Sequence, residues 1–377
     1  MKLSPDPTFT PEQEVLLWAI RVDHTKDHQV AGILTAGVDW GYVRETAIRH
    51  GIIPLLYKRL KGEMADLVPM DELLTIRTLF LANSIRNIQM TQHLLKVLDL
   101  LAGSDVEAIP FKGPVLAVQA YGDLSMRSFL DLDILIHVND LSRAYQILTD
   151  QGYILTDPGQ MSTQKILRII QQKDLRFTFQ DDILELHWNV IEPLYAVPLD
   201  MDQVWDRSLP VAINGRKITS LSPEDLVIVL CFHGLKHGWQ NLGLLADLTY
   251  TIANHPDLKW HDVLVRAEMM GLKRIVLIGL FLVHKYGCIR CGSEVENLFA
   301  SDITMQNLAS KMQLNLFQFL TSEPSFITPF LYLKSRERLR DKIMFIFYYF
   351  TNKVLVFLKW IVRHFIGIRT SPKKGEG

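Results

Sequence analysis

The chain has 377 residues, 48% of them hydrophobic and 21% charged, with a formal net charge of −1. This balance excludes wholesale disorder and argues against a protein that binds nucleic acid over its whole surface; the length suggests two or three domains. The three cysteines, Cys231, Cys288 and Cys291, are too sparse for a disulfide framework, and Cys288-x-x-Cys291 lacks the second pair a zinc site requires, so reduced thiols are expected. The first residues carry no apolar signal core and no run of about 18 uncharged apolar residues occurs, which points to the cytoplasm.

Residues 1–101 read as helices. Thr10-Pro11-Glu12-Gln13 is a helix start, residues 40–60 have helix-like spacing, and 71–101 run without Pro or Gly. The texture changes at Ala102-Gly103. Residues 106–111 read as a short strand, Lys112-Gly113-Pro114 as a turn into a helix that Gly122 closes, and 131–138 as a β-branched strand. A helix from Asn139-Asp140 and a short strand at 153–155 follow. Residues 175–179 and 183–190 flank Gln180-Asp181-Asp182 as a hairpin, and 211–213 pairs with 216–218. After Ser222-Pro223-Glu224 the pattern is helical to the end. The expected fold class is α+β: a small mixed sheet at 102–220 between helical regions 1–101 and 221–377.

Asp131 and Asp133 lie two apart on a strand, so both carboxylates project from one face, about 7 Å apart at Cα. Leu132, Ile134 and Ile136 give the opposite face to a core. Two acids on one face repel unless a cation sits between them, and oxygen donors favour Mg²⁺ or Mn²⁺. Glu185, on the later hairpin with His187 on the same face, completes a carboxylate set if its strand neighbours the first. Two ions could then clamp the attacking and leaving oxygens of a phosphoryl transfer. The competing reading is a solvated strand face. The Gly113 turn lets a phosphate approach backbone amides and Lys112 adds a point charge, against the alternative of a plain loop. Arg127 either grips a phosphate or neutralises Asp123 or Asp131.

Phe111-Lys112-Gly113-Pro114, Gly122-Asp123, Arg127, Asp131-Leu132-Asp133-Ile134 and Leu184-Glu185-Leu186-His187-Trp188-Asn189 together resemble an uncharacterised bacterial nucleotidyltransferase family of the polymerase-β-like superfamily. Residues 231–239 with Asp247, and 49–56, extend the resemblance, which thins beyond about residue 250. It implies a nucleotidyltransferase core flanked by helices. It also implies transfer of a nucleoside monophosphate from a nucleoside triphosphate with two magnesium ions, Asp131, Asp133 and Glu185 as ligands, and Lys112, Gly113 and Arg127 toward the triphosphate. Two departures stand out: Gly113-Pro114 replaces the usual glycine-serine, and the third acid is Glu. A non-catalytic, antitoxin-like binding module is the alternative.

His233 and His237 share a helix face beside Lys236. They read as packing histidines, as a contact for a phosphate or acceptor (with His187), or as a metal pair. From Lys334 onward, eleven Lys or Arg against three acids give +8, and residues 342–366 set cations along one side of a broad apolar arc. That helix suits either core packing or the surface of an anionic membrane. No aromatic-interleaved basic groove marks the central block, which argues against long nucleic acids.

Overall fold

The computed structural model describes residues 8–62, 64–156, 174–317 and 329–361, the last ten as helix backbone. The N-terminal helices are α1 (Pro11–Ala19), α2 (Asp27–Ala36), α3 (Trp40–Arg49), α4 (Ile53–Leu60) and the 33-residue α5 (Met70–Ala102). Thr10 and Gln13 form a reciprocal capping box at the start of α1, with Pro11 in its first turn, where a missing N–H costs nothing. The central block runs β1 (Ala108–Pro110), α6 (Gly113–Tyr121), β2 (Asp131–Ile136), α7 (Leu141–Asp150), β3 (Ile154–Leu155), β4 (Asp174–Phe179), β5 (Asp182–His187), α8 (Met201–Asp206), β6 (Leu209–Ile213) and β7 (Arg216–Ser220). The C-terminal helices are α9 (Pro223–Lys236), α10 (Leu242–Asn254), α11 (Trp260–Met269), α12 (Lys273–Leu282), α13 (Ser293–Phe299), α14 (Ile303–Asn315), α15 (Pro329–Ser335) and α16 (Leu339–Ile361).

The fold is α+β. Five strands form one mixed sheet in the order β1-β2-β5-β4-β3, in which β2 and β5 are parallel and the other pairs antiparallel; β6 and β7 form a separate ribbon. The expected hairpin is present, with Phe179 opposite Asp182 and Gln180 at φ 53° in its turn. Two expected strands stop short. After Ile136 the chain makes a 3₁₀ turn over Val138–Asp140, and after His187 Asn189 Oδ1 accepts the Ile191 amide at 3.0 Å, a local side-chain bond that takes the place of the ladder.

Strand alternation divides the sheet. Leu132, Ile134 and Ile136 with Leu184 and Leu186 bury one face against Met90, Leu94, Val97 and Leu101 of α5 and against α7. The other face carries Asp131, Asp133, Glu185 and His187, and its Leu135 joins Phe111 in the core of the helical body. That core is continuous from Val15, Leu16 and Trp18 to Leu245, Ile275 and Met312, so N- and C-terminal helices pack together. Backbone bonds tie them as well: the Val22 amide donates to the Gly287 carbonyl (3.2 Å) and the Leu242 amide to His50 Nδ1 (3.0 Å).

α16 docks through Phe345, 3% exposed, against Tyr332 and Tyr195. A fully buried Arg336 pairs with Asp341 at 2.8 Å and donates to the Met270 carbonyl. The part of the expected amphipathic segment beyond residue 361 lies outside the described residues. No helix among those described is long and apolar enough to cross a membrane. Cys231, Cys288 and Cys291 are free thiols, and burial pushes Cys291 up to about 12.

Candidate active site

The site begins at the turn between β1 and α6. Gly113 adopts φ +55°, and a Cβ there would lie 3.1 Å from the Asp131 carbonyl oxygen. Only glycine therefore allows α6 to start this close to β2. Lys112, at the N-cap, places Nζ 5.4 Å over the Phe111 ring and 3.2 Å from Asp133 Oδ1.

β2 and β5 place Asp133 directly beside Glu185 in register. His187, two residues further along β5, reaches back with Nε2 2.9 Å from Asp133 Oδ1 and 3.5 Å from Glu185 Oε2, while Nδ1 is 3.7 Å from Asp174 Oδ2. All three side chains are buried, His187 completely, and it packs edge-on against Phe111. Arg176, opposite Glu185 in the hairpin, binds Glu185 Oε1 through Nε (2.9 Å) and Nη2. Donor atoms of Asp133, Glu185 and His187 lie within 4.8 Å of one another, and Asp131 stands outside that cluster on the same sheet face.

The electrostatics follow from this crowding. Burial alone would raise the Glu185 carboxyl, but the His187 hydrogen bond and Arg176 hold it at about 2. Burial and the neighbouring charges of Asp133 and Glu185 push Asp131 up, with Lys112 and Arg127 opposing. Lys112 goes the other way: burial lowers it, and Asp133, Asp131 and Glu185 raise it further, so it stays a cation.

Arg127 is committed elsewhere. Its guanidinium makes a bidentate pair with Asp247 of α10 (Nε–Oδ1 2.9 Å, Nη2–Oδ2 3.0 Å), and the Tyr121 hydroxyl donates to the same carboxylate at 2.8 Å. Neither Asp123 nor Asp131 is its partner in an ion pair; Asp123 instead caps the 3₁₀ turn Leu124–Met126. The backbone leading into β2 is also held by α5. Asn83 donates to the carbonyls of Ser125 and Arg127 (3.2 Å each), and Asn87 to those of Leu124 (2.6 Å) and Arg127 (2.8 Å).

The structure thus brings together Lys112, Gly113, Asp131, Asp133, Glu185 and His187. His187, which the sequence offers as an acceptor or phosphate contact, is fully buried beside Asp133 and Glu185. Lys236 pairs with Glu192, and His237 caps the end of α9 with its ring against His233 at 4.6 Å. Arg176, Asp174, Asn83 and Asn87 are additions to the sequence reading, as is the pairing of Asp247 with Arg127. Of these, Arg176 was recoverable, because a hairpin that turns at Gln180-Asp181 sets it across from Glu185.

The model of a family described as uncharacterised nucleotidyltransferase matches residues 36–287. Among solved structures, the chain is similar to the solution structure of the antibiotic-resistance factor ANT(2'')-Ia, with 12% identity and a TM-score of 0.35 over 53% of this chain and 99% of that one. No curated protein matches.

Proposed function

The chain belongs to the uncharacterised nucleotidyltransferase family, and from that membership we propose that it transfers a nucleoside monophosphate from a nucleoside triphosphate to an acceptor hydroxyl or phosphate. One observation carries the reading: Asp133 and Glu185 are buried side by side on parallel strands, Asp131 shares their face, and a glycine turn opens directly against that strand.

The donor set fits divalent metal. Asp131, Asp133 and Glu185 offer carboxylate oxygens of the kind Mg²⁺ and Mn²⁺ take, and the positive charge these acids require is supplied in this structure by Lys112 and Arg176. When bound, two such ions would supply the electrophilic charge for the triphosphate and acidify the attacking oxygen. His187 orients Asp133 and Glu185 from behind, as a second layer around ligands does. Lys112 offers its charge to phosphoryl oxygens near the Gly113 amide. Glu185, kept ionised by its hydrogen bonds, accepts a hydrogen bond from the acceptor hydroxyl and aims it. Arg127 acts at one remove, fixing the backbone that leads into Asp131.

The test is incubation with each α-labelled nucleoside triphosphate, Mg²⁺ or Mn²⁺ and a cell lysate, with Asp131→Asn plus Asp133→Asn as control. Label transferred by the wild type and lost in the variant supports the reading. No transfer with any nucleotide and either metal overturns it in favour of a binding module, whose nucleotide affinity would not depend on metal.

We further propose contact with an anionic membrane surface through α16. Its outer side leaves Leu339, Ile343, Phe347 and Phe350 between 56% and 72% exposed, on a segment that sums to +8 from Lys334 onward. An apolar helix face beside cations is the pattern that seats in a headgroup layer. Flotation with phosphatidylglycerol vesicles should be lost in Phe347→Ser plus Phe350→Ser; equal flotation by both proteins, or by neither, removes the idea.

A further inference from the structure

A cavity of about 510 Å³ lies away from the carboxylates, between the N-terminal helices and the far ends of α6 and α10. Its volume is that of a small-molecule site. The floor is a pair of rings, Tyr121 on Tyr250, with centroids 4.8 Å apart and planes 28° from parallel. One wall is Trp18, with the Arg59 guanidinium 5.2 Å over its ring.

Among the described residues around this cavity, cations outnumber carboxylates. Arg59 faces Asp27 at 3.6 Å and donates to the carbonyls of Arg21 and Asp23, and Arg21 is held by Asp23 at 2.9 Å. Lys58, on the exposed rim, makes no ion pair among the described residues. Among the described residues three cations therefore stand against two carboxylates, and the unpaired one, Lys58, sits at the mouth above an aromatic floor. A flat ring suits the tyrosine pair, and an anionic group on that ring suits Lys58.

We infer that this cavity is a second ligand site, for a small phosphorylated molecule carrying a planar ring. It is separate from the chemistry. α6 has nine residues, so its Gly113 end and its Tyr121 end are roughly 13 Å apart. Tyr121 still connects the two, because its hydroxyl holds Asp247, which holds Arg127 at the entry to β2. The site does not depend on the transfer reaction and is tested without it.

The probe is labelled adenosine monophosphate in equilibrium dialysis with the full chain in EDTA, a condition in which the carboxylates have no divalent metal. The wild type and Asp133→Asn should bind alike. Lys58→Glu should bind at least about tenfold more weakly, and Lys58→Arg within about threefold of the wild type. Adenosine and inorganic phosphate should each compete at least about tenfold less well than the monophosphate. Lys58 is exposed, so its variants should leave the fold intact, which a thermal melt checks. Binding lost in Asp133→Asn and kept in Lys58→Glu would place the probe at the carboxylates and overturn the inference. So would a wild type that binds no probe at millimolar concentration.

Discussion

The Arg127–Asp247 pair and the Lys112–Asp133 pair are made from the same kinds of group, but they are closed to different degrees. Asp247 is matched one to one by a bidentate guanidinium, with side chains 14% and 5% exposed, and Tyr121 takes a further lone pair. On the sheet face, three carboxylates (Asp131, Asp133 and Glu185) meet two cations, and one of these, Arg176, has a side chain 53% exposed. A balanced, closed pair can only hold elements together. An acid-rich group whose outer cation stands in solvent can give up that cation for a metal ion. On the proposed function, breaking the first arrangement should cost stability and breaking the second should cost chemistry.

The largest effect expected is on chemistry. Asp133→Asn should lower nucleotidyl transfer by on the order of 10³-fold, because it removes a charged donor from the site. The Asn oxygen still accepts from Lys112 and His187, so the urea midpoint should move little. A large loss of stability with transfer intact would reverse the roles assigned to the two clusters.

The closed pair should show the opposite signature. Asp247→Leu leaves the Arg127 guanidinium buried with no counter-charge, and should destabilise the chain by roughly 3–5 kcal/mol. Arg127→Leu combined with Asp247→Leu should recover much of that loss in urea unfolding. If Arg127 instead worked on the triphosphate, the double variant would recover stability but not transfer.

A buried titratable group lies outside both clusters and reads out through pH. The His50 imidazole is 1% exposed, and its Nδ1 accepts the Leu242 amide. Burial, with Arg49 nearby, pushes it down to about 4 from the ordinary 6.5. Between these values the unfolded chain binds a proton that the folded chain does not, so stability falls as pH drops from 6.5 toward 4, by roughly 3 kcal/mol in all. His50→Asn keeps an acceptor for the Leu242 amide and does not titrate. Its urea midpoint should change less than that of the wild type between pH 7 and pH 5. Equal changes would assign the acid sensitivity to other groups.

Which of these groups could be read from the sequence follows from how local each one is. Asp131 and Asp133 share a face by strand period alone, and the strained turn at Gly113 is marked by its glycine. The pairing of Asp133 with Glu185 is different in kind, because β2 and β5 are parallel and only the packed sheet fixes their register. Asp247 lies 120 residues beyond Arg127 in the chain, so no local signal supplies that partner, and the sequence alone offers a phosphate, Asp123 or Asp131 instead. Asn83 and Asn87 look like ordinary polar positions of a long helix until the loop before β2 is laid across them. The overrun of β5 has a local cause that is present in the sequence: Asn189 turns the backbone with its own side chain, although Trp188 and Val190 continue an apolar pattern.

The smallest effect expected is the most discriminating within the site itself. Arg176→Gln removes a cation that is half in water, so its charge pair with Glu185 should contribute less than about 1 kcal/mol to folding. Kinetics then separates two roles. If Arg176 only neutralises Glu185, its removal leaves the acids more attractive to Mg²⁺, and the metal concentration for half-maximal rate should fall about twofold to fivefold, with the KM for nucleotide unchanged. If it leaves Glu185 to meet the triphosphate, KM for nucleotide should rise about tenfold, and Arg176→Lys should restore only part of it, because an ammonium cannot form the bidentate contact. A fall in stability of several kcal/mol would fit neither role. It would mean that the sheet cluster is as closed as the Arg127–Asp247 pair, and the distinction between the two would be lost.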